Sequence, residues 1–291
     1  MGELIVKYYP TKLFLNAADH TYVECMGKKN WSCWGGTDDA TTLRQAAGST
    51  KRANKIAQPN EKAGIKCYLI NGVCHQAANR ILLPAGITVR GVRGYSISQA
   101  LFGPYGRIGS WPCKSPFKKY PNTTGDIDKC ISRKSLATIQ KRSAEDKADW
   151  QYIQKVLPLY LKGEKLVKKK SFNPADARDL NVDLFSIMAD FELGPMMKKK
   201  LNSNLREVRK QTEVSIEKVQ AEMIRTKGVA KKKEKEYVKR FNKITINFQD
   251  EMANLLSTEE YEALFALNRD ERIVLADPDI LKSEYGIDIK Y

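Results

Sequence analysis

Two apolar stripes in the second half of the chain leave the fold least freedom. Leu205, Val208, Thr212, Ile216, Val219 and Met223 recur at steps of three and four residues, and Tyr237, Phe241, Ile244, Phe248, Met252 and Leu255 repeat the pattern. That period gathers each set on one face of an α-helix. Gly228 lies between them, so the stretch over about 203–256 is expected to be two long amphipathic helices folded into a hairpin. Stripes of this kind are core far more often than ligand surface. Beyond them, "STEEYEALFAL" starts a further helix, with Ser257 as N-cap and Glu259 and Glu260 in the first turn, where the helix dipole favours them.

The first half is different in kind. All six cysteines (25, 33, 67, 74, 113 and 130) and every tryptophan except Trp150 precede residue 140. Turn residues and β-formers are frequent there. "HTYVECM" alternates as a strand, "GKKN" suggests a turn and "WSCWGG" a returning strand. "TTLRQAAGSTKRANKIAQ" looks helical, with Leu43, Ala46 and Ala47 on one face. "GIKCYLI" suggests a strand that ends in the Asn71-Gly72 turn. Cys74 then opens a helix that Pro84 and Gly86 close. "GYSISQALFGPYGRIG" suggests a mobile, Gly-rich loop. The fold class expected is α+β, with an antiparallel sheet domain over 1–140 and a helical domain over 141–291.

Net charge is +16, unevenly placed: residues 1–150 carry +12, 151–250 carry +10 and 251–291 carry −6. A basic body suits an anionic surface or polyanion, although Lys-rich helix faces are also ordinary solvated surface. No apolar run approaches the length of a membrane span. The start has no secretory or myristoylation pattern, so the cytoplasm is the default expectation unless a specialised secretion system exports the chain. No cysteine pair has Cys-x-x-Cys spacing, so neither a metal nor another cofactor is expected. Cys113 and Cys130 could pair only in an oxidising compartment.

Chemistry concentrates on "NGVCHQAANRIL". The thiolate is the reactive form of cysteine, and a helix N-terminus and a nearby imidazole both favour it. Cys74 sits at such a terminus. The chain has two histidines. His75 is the sequence neighbour, but its side chain leaves the helix about 100° away. His20, at the start of the predicted strand "HTYVEC", is therefore the expected base. Ser32, Asp38 and Asp39 are candidates for a third, orienting group. His75, Gln76, Trp34, Arg93, Tyr95 and Tyr105 are candidates for substrate contact.

The order of "ADHTYVEC", "WSCWGG" and "GVCHQAANRIL", all within about residues 13–110, resembles the circularly permuted NlpC-type papain-like fold, an order shared by lecithin retinol acyltransferase-like proteins. The resemblance implies Cys74 as nucleophile and His20 as general base and then acid. It implies acyl chemistry at amide, isopeptide, ester or thioester bonds, with peptidoglycan peptides or proteins as substrates. The third polar residue of the family pattern has no counterpart fixed in this sequence. Acyl transfer, transglutamination and deamidation use the same pair of residues and stay open. So do two non-enzymatic readings: a basic nucleic-acid or polyanion binder, and a scaffold whose hairpin mediates protein contact or oligomerisation.

Overall fold

The computed structural model describes residues 2–10, 18–25, 28–30, 39–48, 69–109, 144–167, 173–225 and 234–276. Strand β1 (Gly2–Tyr9) pairs antiparallel with β2 (His20–Cys25), and Val6 opposes Val23 while Tyr8 opposes Thr21. Directly opposed residues share a face of a sheet, and Leu4, Val6, Thr21 and Val23 are all fully buried. Strands β3 (Lys28–Asn30) and β4 (Thr41–Gly48) complete an antiparallel sheet of order β3-β2-β1-β4.

Two expectations change here. Lys28–Asn30, expected in a turn, pairs with Val23–Cys25. Thr41–Gly48, expected to begin a helix, is the strand against β1. Its alanines favour a helix locally, but the β-branched Thr41 and Thr42 and the ladder offered by β1 favour extension, and pairing decides. "WSCWGG" and the segment 49–68 lie outside the described residues.

Leu69 and Ile70 are in a turn rather than in the expected strand, and Leu69 takes a left-handed φ of 66°. Helix α1 (Cys74–Leu82) follows as expected. A 3-10 turn, Leu83–Ala85, and the left-handed Gly86 close it. Every residue of α1 is buried, polar ones included. Each polar group has a partner, as burial requires. Asn79 donates to the Tyr95 hydroxyl and the Pro104 carbonyl and accepts from the Val89 N–H. Gln76 donates to Ser98 and the Gly103 carbonyl, and Arg80 donates to the Tyr105 carbonyl.

"GYSISQALFGPYGRIG" is not a mobile loop. Tyr95–Phe102 forms helix α2, and all of its residues except Ser96 are buried. At Gly94, which has φ +82°, a Cβ would lie 2.4 Å from that of Ala18, so close backbone approach requires glycine here. The stretch 103–109 is buried with it, apart from the half-exposed Gly109.

The remaining helices are α3 (Ala144–Val167), α4 (Pro174–Leu193), α5 (Lys199–Arg225), α6 (Glu234–Leu255) and α7 (Thr258–Phe265). Helices α5 and α6 pack together antiparallel, with Glu222 paired to Arg240, as the stripes imply. The stripe of α6 is covered from within the chain: Phe241 stacks on Phe102 of α2, and Phe248 meets Phe185 of α4 and Phe265 of α7. Ser257 caps α7, and Glu260 reaches back to its N–H in a capping box. One apolar core runs from Leu4 of the sheet to Leu275, so the change of composition near residue 140 does not divide the core. Among the described residues, no helix is long and apolar enough to cross a membrane.

Candidate active site

Helix α1 lands on β2 with its first residue. The Cys74 thiol donates to the Asp19 carbonyl at 4.0 Å, and polar groups of Thr21, His75 and Cys74 itself lie near enough to the sulfur to favour its charged form. These groups come from two sources, the first turn of α1 and the opening of β2. Val73 stands at the N-cap and offers no side-chain acceptor, while Gln76 accepts the Val73 N–H at 3.0 Å. No side chain therefore caps the first-turn N–H groups of α1, which lie at the end of the helix that carries Cys74.

The charge state of Cys74 differs from expectation. Burial pushes the thiol up to about 11, and the nearby polar groups of Thr21, His75 and Cys74 oppose that rise without overcoming it. A helix N-terminus favours a thiolate where solvent shares the task, but here desolvation dominates.

His75 is fully buried. Its Nε2 lies 3.0 Å from the Asp19 carbonyl and its Nδ1 2.9 Å from the Ser98 hydroxyl. A carbonyl can only accept, so Nε2 carries a proton; the Ser98 hydroxyl beside Nδ1 gives its own hydrogen to the Tyr95 carbonyl at 2.8 Å. Burial lowers the imidazole to about 4, with the Asp19 hydrogen bond a smaller opposing cause. The helix does separate the Cys74 and His75 side chains at their origin, but both converge on one carbonyl oxygen, that of Asp19.

His20 lies between the two residues that touch the sulfur. It opposes Tyr9 in the β1–β2 register, and its ring packs on Tyr9 with centroids 5.1 Å apart. Alternation along β2 sends Thr21 toward α1 and sends His20, with Tyr22, to the other face of the sheet. The structure thus brings Cys74 to the His20 segment and holds the His20 ring on Tyr9.

The other candidates divide clearly. Gln76, Tyr95 and Tyr105 are buried and serve packing in this conformation. Arg93 is half-buried, and its N–H donates to the Asp19 carboxylate at 3.2 Å while its guanidinium pairs with Glu271. Burial raises the Asp19 carboxyl above its usual range. Asp39 is exposed. Ser32, Trp34 and Asp38 lie outside the described residues, as do Cys33, Cys67, Cys113 and Cys130.

Sequence reasoning missed Thr21, the Asp19 carbonyl and Ser98. It also missed Asp149, which accepts from the Thr88 N–H and hydroxyl and from Arg44 and Arg90. No spacing rule marks these groups, because their partners lie dozens of residues away. Among the described residues, no cluster of three or more His, Cys, Asp or Glu could hold a metal. No protein-family model, curated protein or solved structure matches the chain.

Proposed function

We propose that this chain is a thiol-dependent hydrolase of amide or isopeptide bonds in a peptide, peptidoglycan or protein, and that the described conformation is its resting state. The observation that carries this reading is the place of Cys74 at the first turn of α1, where no side chain caps the helix, against the Asp19–Thr21 segment. A packing cysteine needs apolar neighbours, and neutral sulfur is a weak acceptor. The polar groups of Thr21, Cys74 and His75 that favour the charged sulfur become useful when negative charge develops at or beside it.

In this reading substrate binding frees His20, the first residue of β2, from its pairing with Tyr9, and the local backbone turns the ring from the Tyr9 face of the sheet to the sulfur. It takes the thiol proton, and the sulfur attacks the carbonyl carbon. The C–N bond then breaks as His20 gives that proton to the departing amine. Water, deprotonated by His20, attacks the thioester, and the C–S bond breaks to restore the thiol. First-turn N–H groups of α1 stabilise the oxyanion in both steps. Acyl transfer and deamidation share the first half of this sequence and differ in the acceptor or in the amide attacked.

A second reading is favoured by a specific observation. The raised thiol, the neutral His75 and the His20 ring on Tyr9 together suit a structural Cys74 in a non-enzymatic protein. A thiol-reactive peptidyl probe separates the two. Under the hydrolase reading it labels Cys74 and not the other cysteines, and His20→Ala removes the labelling.

A further inference from the structure

The stretch expected to be a mobile substrate loop joins the helical half of the molecule to Cys74. Arg107 is at its centre. On one side, the Arg107 N–H donates to the Asn71 carbonyl at 2.6 Å, and the Asn71 side-chain amide returns a hydrogen bond to the Arg107 carbonyl at 2.8 Å. Asn71 belongs to the turn that delivers Val73 and Cys74 to the start of α1. On the other side, the Arg107 guanidinium donates to Glu213 at 2.6 Å and to Gln220 at 2.6 Å, both on α5.

Glu213 is itself fully buried and accepts from Arg209 at 2.8 Å and Asn181 at 2.7 Å. Asn181 of α4 clamps the next residue, donating to the Ile108 carbonyl and accepting its N–H, each at 2.9 Å. Arg209 gives its remaining hydrogen bonds to the Ala100 and Leu101 carbonyls at the C-terminal end of α2. These carbonyls have no partner within the helix.

We propose that Glu213 and Arg107 are positioning residues for Cys74, acting through Asn71 to hold the turn before α1 closed. A buried carboxylate between two buried guanidinium groups has one low-energy arrangement, because displacing any member leaves a charge without its partner in an apolar interior. That rigidity passes through the two hydrogen bonds between the Arg107 backbone and Asn71, one to its carbonyl and one from its side-chain amide, and thereby sets how far Cys74 is shielded from solvent. The role of the helical half at this site is to keep the thiol covered and the first turn of α1 in place. This rests on the reading of Cys74 as the nucleophile only for its catalytic consequence; the shielding itself is measurable without catalysis.

The test is the rate of Cys74 alkylation by iodoacetamide in the reduced full-length chain, followed by mass spectrometry with the other five cysteines as internal references. Glu213→Gln removes the counter-charge, and Asn71→Ala removes the side-chain arm of the link. Each is expected to speed Cys74 alkylation about tenfold, equivalent to about 1.4 kcal/mol of local opening, with the other rates unchanged. The double variant should be no faster than the faster single variant, since both cut one chain of contacts.

An unchanged Cys74 rate in Glu213→Gln with native circular dichroism would overturn the proposal, as would multiplicative effects in the double variant. If Glu213→Gln unfolds, all six cysteines accelerate together, and Asn71→Ala alone decides: unchanged Cys74 shielding there refutes the link. Failure of the hydrolase reading is distinguishable, because it leaves these alkylation rates as expected while probe labelling becomes independent of His20.

Discussion

The apolar stripes of the α5–α6 hairpin and the α1 region fill the core by opposite means, and the buried Arg209 and Glu213 of α5 belong with α1 in this respect. In the hairpin, Leu205, Ile216, Phe241, Phe248 and Met252 bury apolar surface along two stripes. In α1, five apolar residues share nine buried positions with His75, Gln76, Asn79 and Arg80, each tied to a distant carbonyl or hydroxyl. Apolar packing is graded and tolerant of swaps of similar volume, whereas a buried polar network depends on each of its partners. The hairpin region therefore supports the fold broadly, and α1 fixes a particular arrangement at the place where the candidate nucleophile sits.

The largest expected effect breaks the hairpin side of this contrast. Phe248→Ala removes a ring packed between Phe185 and Phe265 and should cost roughly 3 to 5 kcal/mol. In urea titrations the midpoint should fall while the slope is unchanged. A loss under about 1 kcal/mol would mean that this stripe is not the core assigned to it.

The next effect belongs to α1 and depends on pH. His75 titrates near 6.5 when unfolded and is lowered to about 4 by burial in the fold. The unfolded chain therefore binds more protons between those values, so stability falls as pH drops from about 6.5 and levels off below about 4. The span corresponds to roughly 3 kcal/mol. The difference between the pH–stability curves of the parent and His75→Gln isolates this contribution from the carboxylates. A difference curve flat across that window would place His75 in solvent.

The smallest effect sharpens the hairpin side again, at its edge. Ser257→Ala removes the α7 cap and should cost about 1 kcal/mol by thermal or urea unfolding, while Ser257→Asp should retain most of the parent stability. Equal losses for the two variants would show that the cap contributes little.

The two regions also differ in how much the sequence revealed. The hairpin and the Ser257 cap were legible because helix periodicity and capping are local rules. So was the Asn71-Gly72 turn, with a helix opening at Cys74 and closing after Pro84. Strand β4 was not, because Gln45, Ala46 and Ala47 have little strand preference of their own, and their conformation comes from β1, about forty residues earlier. Helix α2 was obscured by the glycines at 91, 94, 103 and 106, which read as loop until the close approach of Ala18 to Gly94 explains one of them. The position of Cys74 at a helix mouth was readable, but its charge state was not. The thiol depends on burial beneath Thr21 and Asp19, and burial is a property of the assembled chain. For His20, the strand was readable, but the face it occupies follows from its register with Tyr9.

The most direct test of the central claim is selective covalent labelling of the six cysteines by an electrophilic peptidyl probe, quantified by mass spectrometry in the parent chain and in His20→Ala. If Cys74 and His20 form a working pair on substrate binding, the parent should be labelled at Cys74 in preference to the other five, and His20→Ala should lose that labelling at least about a hundredfold, as expected on removing a general base. Equal labelling of all six cysteines, or Cys74 labelling unchanged in His20→Ala, would contradict the account and leave Cys74 as a structural thiol.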